Sequence, residues 1–225
     1  MKSTAILIPA RYGSTRYPGK PLALLDGRPM IQRVFEACWN SGFYTYVLTD
    51  DQRIADLIPN NYVYMDTDDY DNGTERCAGA LLSRKFEEYE QFINVQGDMP
   101  DVTTEIIQQA ALVLQSYSVG TVFTEMPTAQ QNDPNTVKLI RGKDQALWFG
   151  RGITGYGDWH LGVYSYTREA LAAYPHLREY PEEKIERLEQ LRWLKNGWQI
   201  GCRRVQFNGI EINTPEDVEI WQTNT

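Results

Sequence analysis

Four apolar residues at 5–8, Ala-Ile-Leu-Ile, are stopped by Pro9, and the chain then enters a loop containing Gly13, Pro18 and Gly19. Such a run, bounded by a turn signal, predicts a buried strand of the kind found in parallel sheets. The loop after this strand constrains the chain most. Arg11, Arg16 and Lys20 stand in it, and no Asp or Glu occurs before Asp26, although the chain as a whole carries a net charge of −8. A cationic loop with glycines at the carboxyl end of a first strand is suited to holding a polyanion. The glycines let backbone N–H groups approach phosphate oxygens, and the long cations neutralise them. The plainer alternative is a basic surface turn between a strand and a helix.

Spacing excludes two better-known phosphate loops. The P-loop needs Gly, four residues, then Gly-Lys and a hydroxyl residue for magnesium. Here five residues separate Gly13 from Gly19, and Pro21, with neither hydroxyl nor N–H, comes after Lys20. The dinucleotide pattern Gly-x-Gly-x-x-Gly is absent. The acidic balance argues against a nucleic acid polymer as partner, but a local cluster of cations still serves an anionic substrate. No apolar run is long enough for membrane insertion, and no signal-peptide pattern opens the chain, so a cytoplasmic protein is expected. Cys38, Cys77 and Cys202 are far apart and show no metal-ligand spacing, which predicts reduced thiols. His160 and His176 are the only histidines, so a His-rich metal centre is excluded.

Periodicity predicts strands over 5–8, 44–48, 62–65, 92–95, 120–124, 136–140, 161–166 and 199–205. Helices are predicted over 30–41, 76–86, 104–116, 182–196 and 215–222, the last capped by Thr214. The alternation implies an α/β fold, a Rossmann-like, mostly parallel mixed sheet with helices on both faces. At 225 residues one domain is expected, 1–225, with a small β-rich lobe around 136–166, the stretch poorest in helix signal.

Four further segments carry chemistry. Gln96-Gly97-Asp98-Met99-Pro100 comes directly after the strand at 92–95, which places Asp98 at the ligand-binding edge of the sheet. Asp98 suits a magnesium ion against phosphate oxygens, or else a turn that caps the next helix. Asn72-Gly73-Thr74-Glu75-Arg76 opens a helix, with Gly73 and Thr74 suited to a tight approach and an N-cap. Arg76 reaches either a phosphate or an acidic partner that orders the loop. His160 precedes a strand and is either structural or functional. In the helix over 182–196, Ile185, Leu188, Leu191 and Leu194 are expected toward the core, with Glu186, Glu189, Gln190 and Trp193 on other faces. By pattern alone that helix is a solvated one with ion pairs along it.

The loop Arg11-x-Gly-Ser-Thr-Arg16-x-Pro-Gly-Lys20-Pro resembles the first loop of the cytidylyltransferases that activate acidic sugars, most closely the 3-deoxy-manno-octulosonate (Kdo) cytidylyltransferases. The resemblance extends in order along nearly the whole chain. It takes in the segments at Asn72 and Gln96, His160-Leu-Gly-Val-Tyr164-Ser-Tyr166, Leu188-Glu189-Gln190-Leu191-Arg192 and Asn213-Thr-Pro-Glu-Asp. It implies a fold of the nucleotide-diphospho-sugar transferase type and transfer of CMP from CTP to an acidic 2-keto sugar, with release of pyrophosphate, in lipopolysaccharide biosynthesis. Arg11, Arg16, Lys20 and Asp98 would then be catalytic, and Ala10, Gly13, Ser14, Asn72, Gly73, Arg76 and Gln96 would hold the nucleotide. Arg151, His160, Tyr164, Glu189 and Gln190 would hold the sugar, Asp98 and Asn213 would hold Mg2+, and the chain would work as a homodimer. Asn72 stands where the family has Ser, Met99 where it has Glu, and Asn213 where it has a second magnesium-binding Asp; the stretch between Arg151 and His160 is short. A nucleotidyltransferase for another base or sugar and a non-catalytic nucleotide- or sugar-binding homologue are the rival readings.

Overall fold

The computed structural model describes residues 3–13 and 17–224. Nine strands form one sheet: β1 (Thr4–Pro9), β2 (Tyr44–Thr49), β3 (Val63–Met65), β4 (Gln91–Val95), β5 (Val119–Thr124), β6 (Lys138–Arg141), β7 (Ala146–Gly150), β8 (Asp158–Thr167) and β9 (Ile200–Arg204). Across the sheet the order is β9-β5-β8-β4-β1-β2-β3. β1 is parallel to both β2 and β4, β3 is parallel to β2, and β9 is parallel to β5. β8 runs antiparallel between β4 and β5, and the β6–β7 hairpin joins the sheet through the start of β8. The sheet is therefore mixed and mostly parallel along its main path, with its antiparallel part within residues 138–167.

The alternation of β1 explains the two-layered cover. Ile6 and Ile8 point into one core with α1 (Met30–Trp39) and α4 (Thr104–Val113), while Ala5 and Leu7 point into a second with α3 (Gly73–Ala80) and Trp193. From β1 the chain passes outward to β2 and β3 and returns as β4 on the other side. The reversal opens a crevice beyond the carboxyl ends of β1 and β4, the usual ligand position in such sheets. Cys38, Cys77 and Cys202 are free and buried. Among the described residues no helix is long and apolar enough to cross a membrane.

Several expected elements differ in the structure. The helix over 182–196 is two, α6 (Pro181–Glu186) and α7 (Gln190–Lys195), parted by Arg187 in the left-handed region at φ 54°. The break sets the two segments on different faces: Ile185 of α6 is 77% exposed while Trp193 of α7 is 1% exposed, the reverse of the single-helix expectation. The helix over 76–86 starts earlier, at Gly73, and its N-cap is Asn72, whose Oδ1 accepts from Glu75 N–H at 2.9 Å; Thr74 lies inside it. At the head of α8 (Pro215–Asn224), Asp217 Oδ2 reaches back to accept from the N–H groups of Asn213 and Thr214 at 2.7 and 2.8 Å. Short helices α2 (Gln52–Ala55) and α5 (Arg168–Ala173) were not expected, being too brief to show a period. β8 begins before His160, which therefore lies within a strand.

Candidate active site

The first loop folds back on itself. Gly19 N–H donates to Tyr12 O at 2.9 Å and Lys20 N–H to Tyr17 O at 3.1 Å. Gly19 takes φ 73°, where a β-carbon would stand 3.0 Å from the Tyr12 ring, so both backbone and space select glycine. The Arg53 guanidinium covers the same ring at 3.6 Å. The turn directs Lys20 into the crevice, where its Nζ lies 2.6 Å from Asp98 Oδ2. Asp98 arrives there because Gly97 lets the chain after β4 pass close to the end of β1; a β-carbon at 97 would be 3.2 Å from Pro9 O. Ala10, Arg11, Lys20, Asn72, Gly73, Arg76, Gln96 and Asp98 line one open cleft of about 230 Å³. Arg11 is exposed and makes no hydrogen bond or ion pair among the described residues. Gly13 is exposed and lies outside that lining. Ser14 and Arg16 lie outside the described residues.

Arg76 borders the cleft, but its guanidinium is engaged. It donates to Asp66 O at 2.9 Å and to Asp50 Oδ2 at 3.0 Å, and it is 4% exposed. Of its two expected uses, the acidic partner is the one seen. Asn72 joins its capping bond to a longer contact from Nδ2 to the Tyr174 hydroxyl, 3.4 Å. Gly73 is pressed against Gln96 and Pro9, each 3.1 Å from the position of a β-carbon.

A second cleft of about 700 Å³ continues from the first and shares Arg11, Asn72, Gln96 and Asp98 with it. Arg151, His160, Tyr164, Glu189, Gln190, Glu211 and Asn213 line this part. Glu189 ties the two clefts together: Oε2 accepts from Thr74 N–H and Oε1 from Gln96 Nε2, each at 3.0 Å. Burial raises its carboxyl to about 6, against the opposing effect of the Thr74 hydrogen bonds. Tyr164 donates to Gln190 Oε1 at 3.1 Å, and Gln190 Nε2 has no hydrogen-bond partner among the described residues. Thr121 Oγ1 donates to Val163 O at 2.8 Å, so its 2.9 Å bond to His160 takes a proton from Nε2 and leaves Nδ1 as an acceptor. Burial pushes His160 down to about 3, with Arg151 adding to the shift, so the imidazole is neutral. Arg151 NH1 donates to Asn135 O at 2.5 Å, and its own N–H donates to Glu186 Oε2 at 2.7 Å.

Among the described residues, Asp98, Asn213 and Glu211 line the cleft and offer oxygen donors to a hard cation. The Lys20 ammonium against Asp98 shows that this position accepts positive charge, so the residues fit a magnesium ion. Glu211 escaped sequence reasoning. Its Oε1 accepts from Gly162 N–H at 3.2 Å, and its carboxyl is raised to about 7 by burial and then by the charge of Asp98. The available signal was its position as an acid two residues before Asn213. Met99, fully buried, packs in the core and does not reach the site.

A family model described as Cytidylyltransferase matches residues 5–200. The chain is 37% identical over 236 residues to the 8-amino-3,8-dideoxy-manno-octulosonate cytidylyltransferase of Shewanella halifaxensis (strain HAW-EB4), covering 97% of this chain and 96% of the relative. It is 34% identical over 241 residues to the protein of the same name from Shewanella sediminis (strain HAW-EB3), covering 98% of each. Among solved structures, CMP:2-keto-3-deoxy-manno-octonic acid synthetase complexed with CTP superposes with a TM-score of 0.89 at 31% identity, covering 99% of this chain and 98% of the other. The inositol-1-phosphate CTP transferase from T. maritima shares the fold alone, with a TM-score of 0.70 at 13% identity, covering 96% and 91%. The loop after β1, the turn after β4 and the full-length matches together place this chain in the cytidylyltransferase family.

Proposed function

We propose that this cytidylyltransferase moves CMP from CTP to the anomeric hydroxyl of an acidic 2-keto sugar of the octulosonate class, giving CMP-sugar and pyrophosphate. The carrying observation is that Arg11, Lys20 and Asp98 meet beyond the ends of β1 and β4, in a cleft that runs on to Arg151, His160 and Gln190. The names of the Shewanella relatives favour an eight-carbon acceptor with an amine at C8.

In this reading Arg11 and Lys20 bind the triphosphate and offset the charge that grows on the α-phosphate and the leaving pyrophosphate. Lys20 leaves Asp98 to do so. Arg151 faces the acceptor's carboxylate, while neutral His160 and the Gln190 amide orient its hydroxyls. Glu189 holds Gln96 and the start of α3 in place between the two substrates. Asp98 and the Asn213 amide would hold Mg2+, which when bound screens the phosphate oxygens. No covalent intermediate with a protein side chain is required. We also read the chain as a cytoplasmic homodimer; light scattering after gel filtration should return the mass of two chains.

Thermal shift with a nucleotide panel tests the base. CTP should stabilise the protein by several degrees more than UTP, GTP or ATP at equal concentration. Equal shifts for all four would contradict the assignment.

A further inference from the structure

Asn213 leaves the cation site short of charge. Asp98 already has Lys20 against it at 2.6 Å, so Asp98, Lys20 and the neutral Asn213 amide sum to zero. A site with no net charge has little to attract a divalent ion. The structure places one more carboxylate beside it. Ile212 N–H donates to Asp98 O at 3.0 Å, which fixes this segment alongside the turn after β4. Ile212 turns its side chain into the core and is fully buried. Glu211 and Asn213, on either side of Ile212, both line the cleft together with Asp98. Gly162 N–H holds Glu211 Oε1 at 3.2 Å and aims the side chain.

We propose that Glu211 supplies the second carboxylate of the cation site, so that a divalent ion is held between Asp98 and Glu211, with Asn213 secondary. Two carboxylates balance the divalent charge and release Lys20 to the phosphates, where the proposed CMP transfer, on which this inference rests, requires it.

Mn2+ is the probe, tracked by the electron paramagnetic resonance signal of the free ion, with enzyme in excess over CTP and no acceptor present. Glu211→Gln should weaken Mn2+ binding at least about tenfold while circular dichroism and metal-free CTP binding stay unchanged. Asn213→Ala should weaken it less than Glu211→Gln does. The double variant Glu211→Gln/Asn213→Asp should regain most of the lost affinity, since it returns a carboxylate to the lining of the cleft. Mn2+ affinity in Glu211→Gln within twofold of the parent, or a larger loss in Asn213→Ala than in Glu211→Gln, overturns the proposal. Glu211-dependent Mn2+ binding without preference for CTP supports the cation site and overturns only the functional reading. CTP preference with Mn2+ binding indifferent to Glu211 does the opposite.

Discussion

Lys20 illustrates how a single side chain spans two states. Its ammonium rests on Asp98, and both side chains are mostly shielded, at 15% and 23% exposure. In the proposed function Lys20→Ala removes one charge-assisted phosphate contact, a loss of about 1.5–3 kcal/mol, or roughly tenfold to a hundredfold in kcat/KM for CTP. Steady-state kinetics on a variant with native circular dichroism checks this, and near-normal turnover would contradict it. Glu189 gives a prediction of a different kind. Its folded carboxyl titrates near 6 against 4.5 for the ordinary group, so the native state binds more protons between those values. Stability from this group is therefore highest below about pH 4.5 and falls as pH rises through 6, by about 2 kcal/mol at most. Glu189→Gln, which titrates in neither state, should flatten that part of the stability curve. Urea denaturation at pH 4.5 and 7 reads the difference; an equal slope in parent and variant would mean that Glu189 is not held in a desolvated place.

At the scale of elements, the break between α6 and α7 shapes the wall of the second cleft that carries Glu189 and Gln190. Arg192, on α7 and 3% exposed, binds Glu183 of α6 at 2.7 Å and Glu75 of α3 at 2.7 Å. Arg192→Met strips the counter-charge from those carboxylates and should cost about 3 kcal/mol or more, a fall of roughly 6–12 °C in Tm. A calorimetric Tm within 2 °C of the parent would refute that role. The β5–β9 edge of the sheet depends on closeness instead of charge. Gly120 of β5 and Gly201 of β9 are register partners, and a β-carbon at either would come 2.6 Å from Val113 Cγ1 of α4. Gly120→Ala should overpack that contact by about 1–3 kcal/mol, visible as a lower urea midpoint with unchanged slope. The same elements differ in how far sequence alone reveals them. β1, β2 and β4 were legible because a buried strand declares itself in consecutive residues. The break at Arg187 was not, since no Gly or Pro marks it and its neighbours favour a helix. The turn exists because Glu189 must meet Thr74 and Gln96, contacts more than ninety residues away in the chain.

Across the whole molecule, the crevice collects residues from both halves of the chain: Lys20 and Asp98 from the first, Glu189, Gln190, Glu211 and Asn213 from the second. In the first half the candidate loop stood out as a glycine-containing stretch with three cations and no acid, of which Arg16 lies outside the described residues. In the second half the site residues are scattered over a strand, a helix start and an extended tail, and only the fold reveals which of them face one another. Glu211 is the clearest instance: one acid among many in an acidic chain until the fold sets it in the lining of the cleft. The central claim is the transfer of CMP to a 2-keto sugar acid, and CTP-dependent pyrophosphate release across a panel of such acids measures it directly. With magnesium present, release should require both CTP and an eight-carbon 2-keto acid, Kdo or its 8-amino analogue, and should fall to background without the sugar. Background release with every acceptor, from protein whose thermal stability still responds to CTP, would contradict the account.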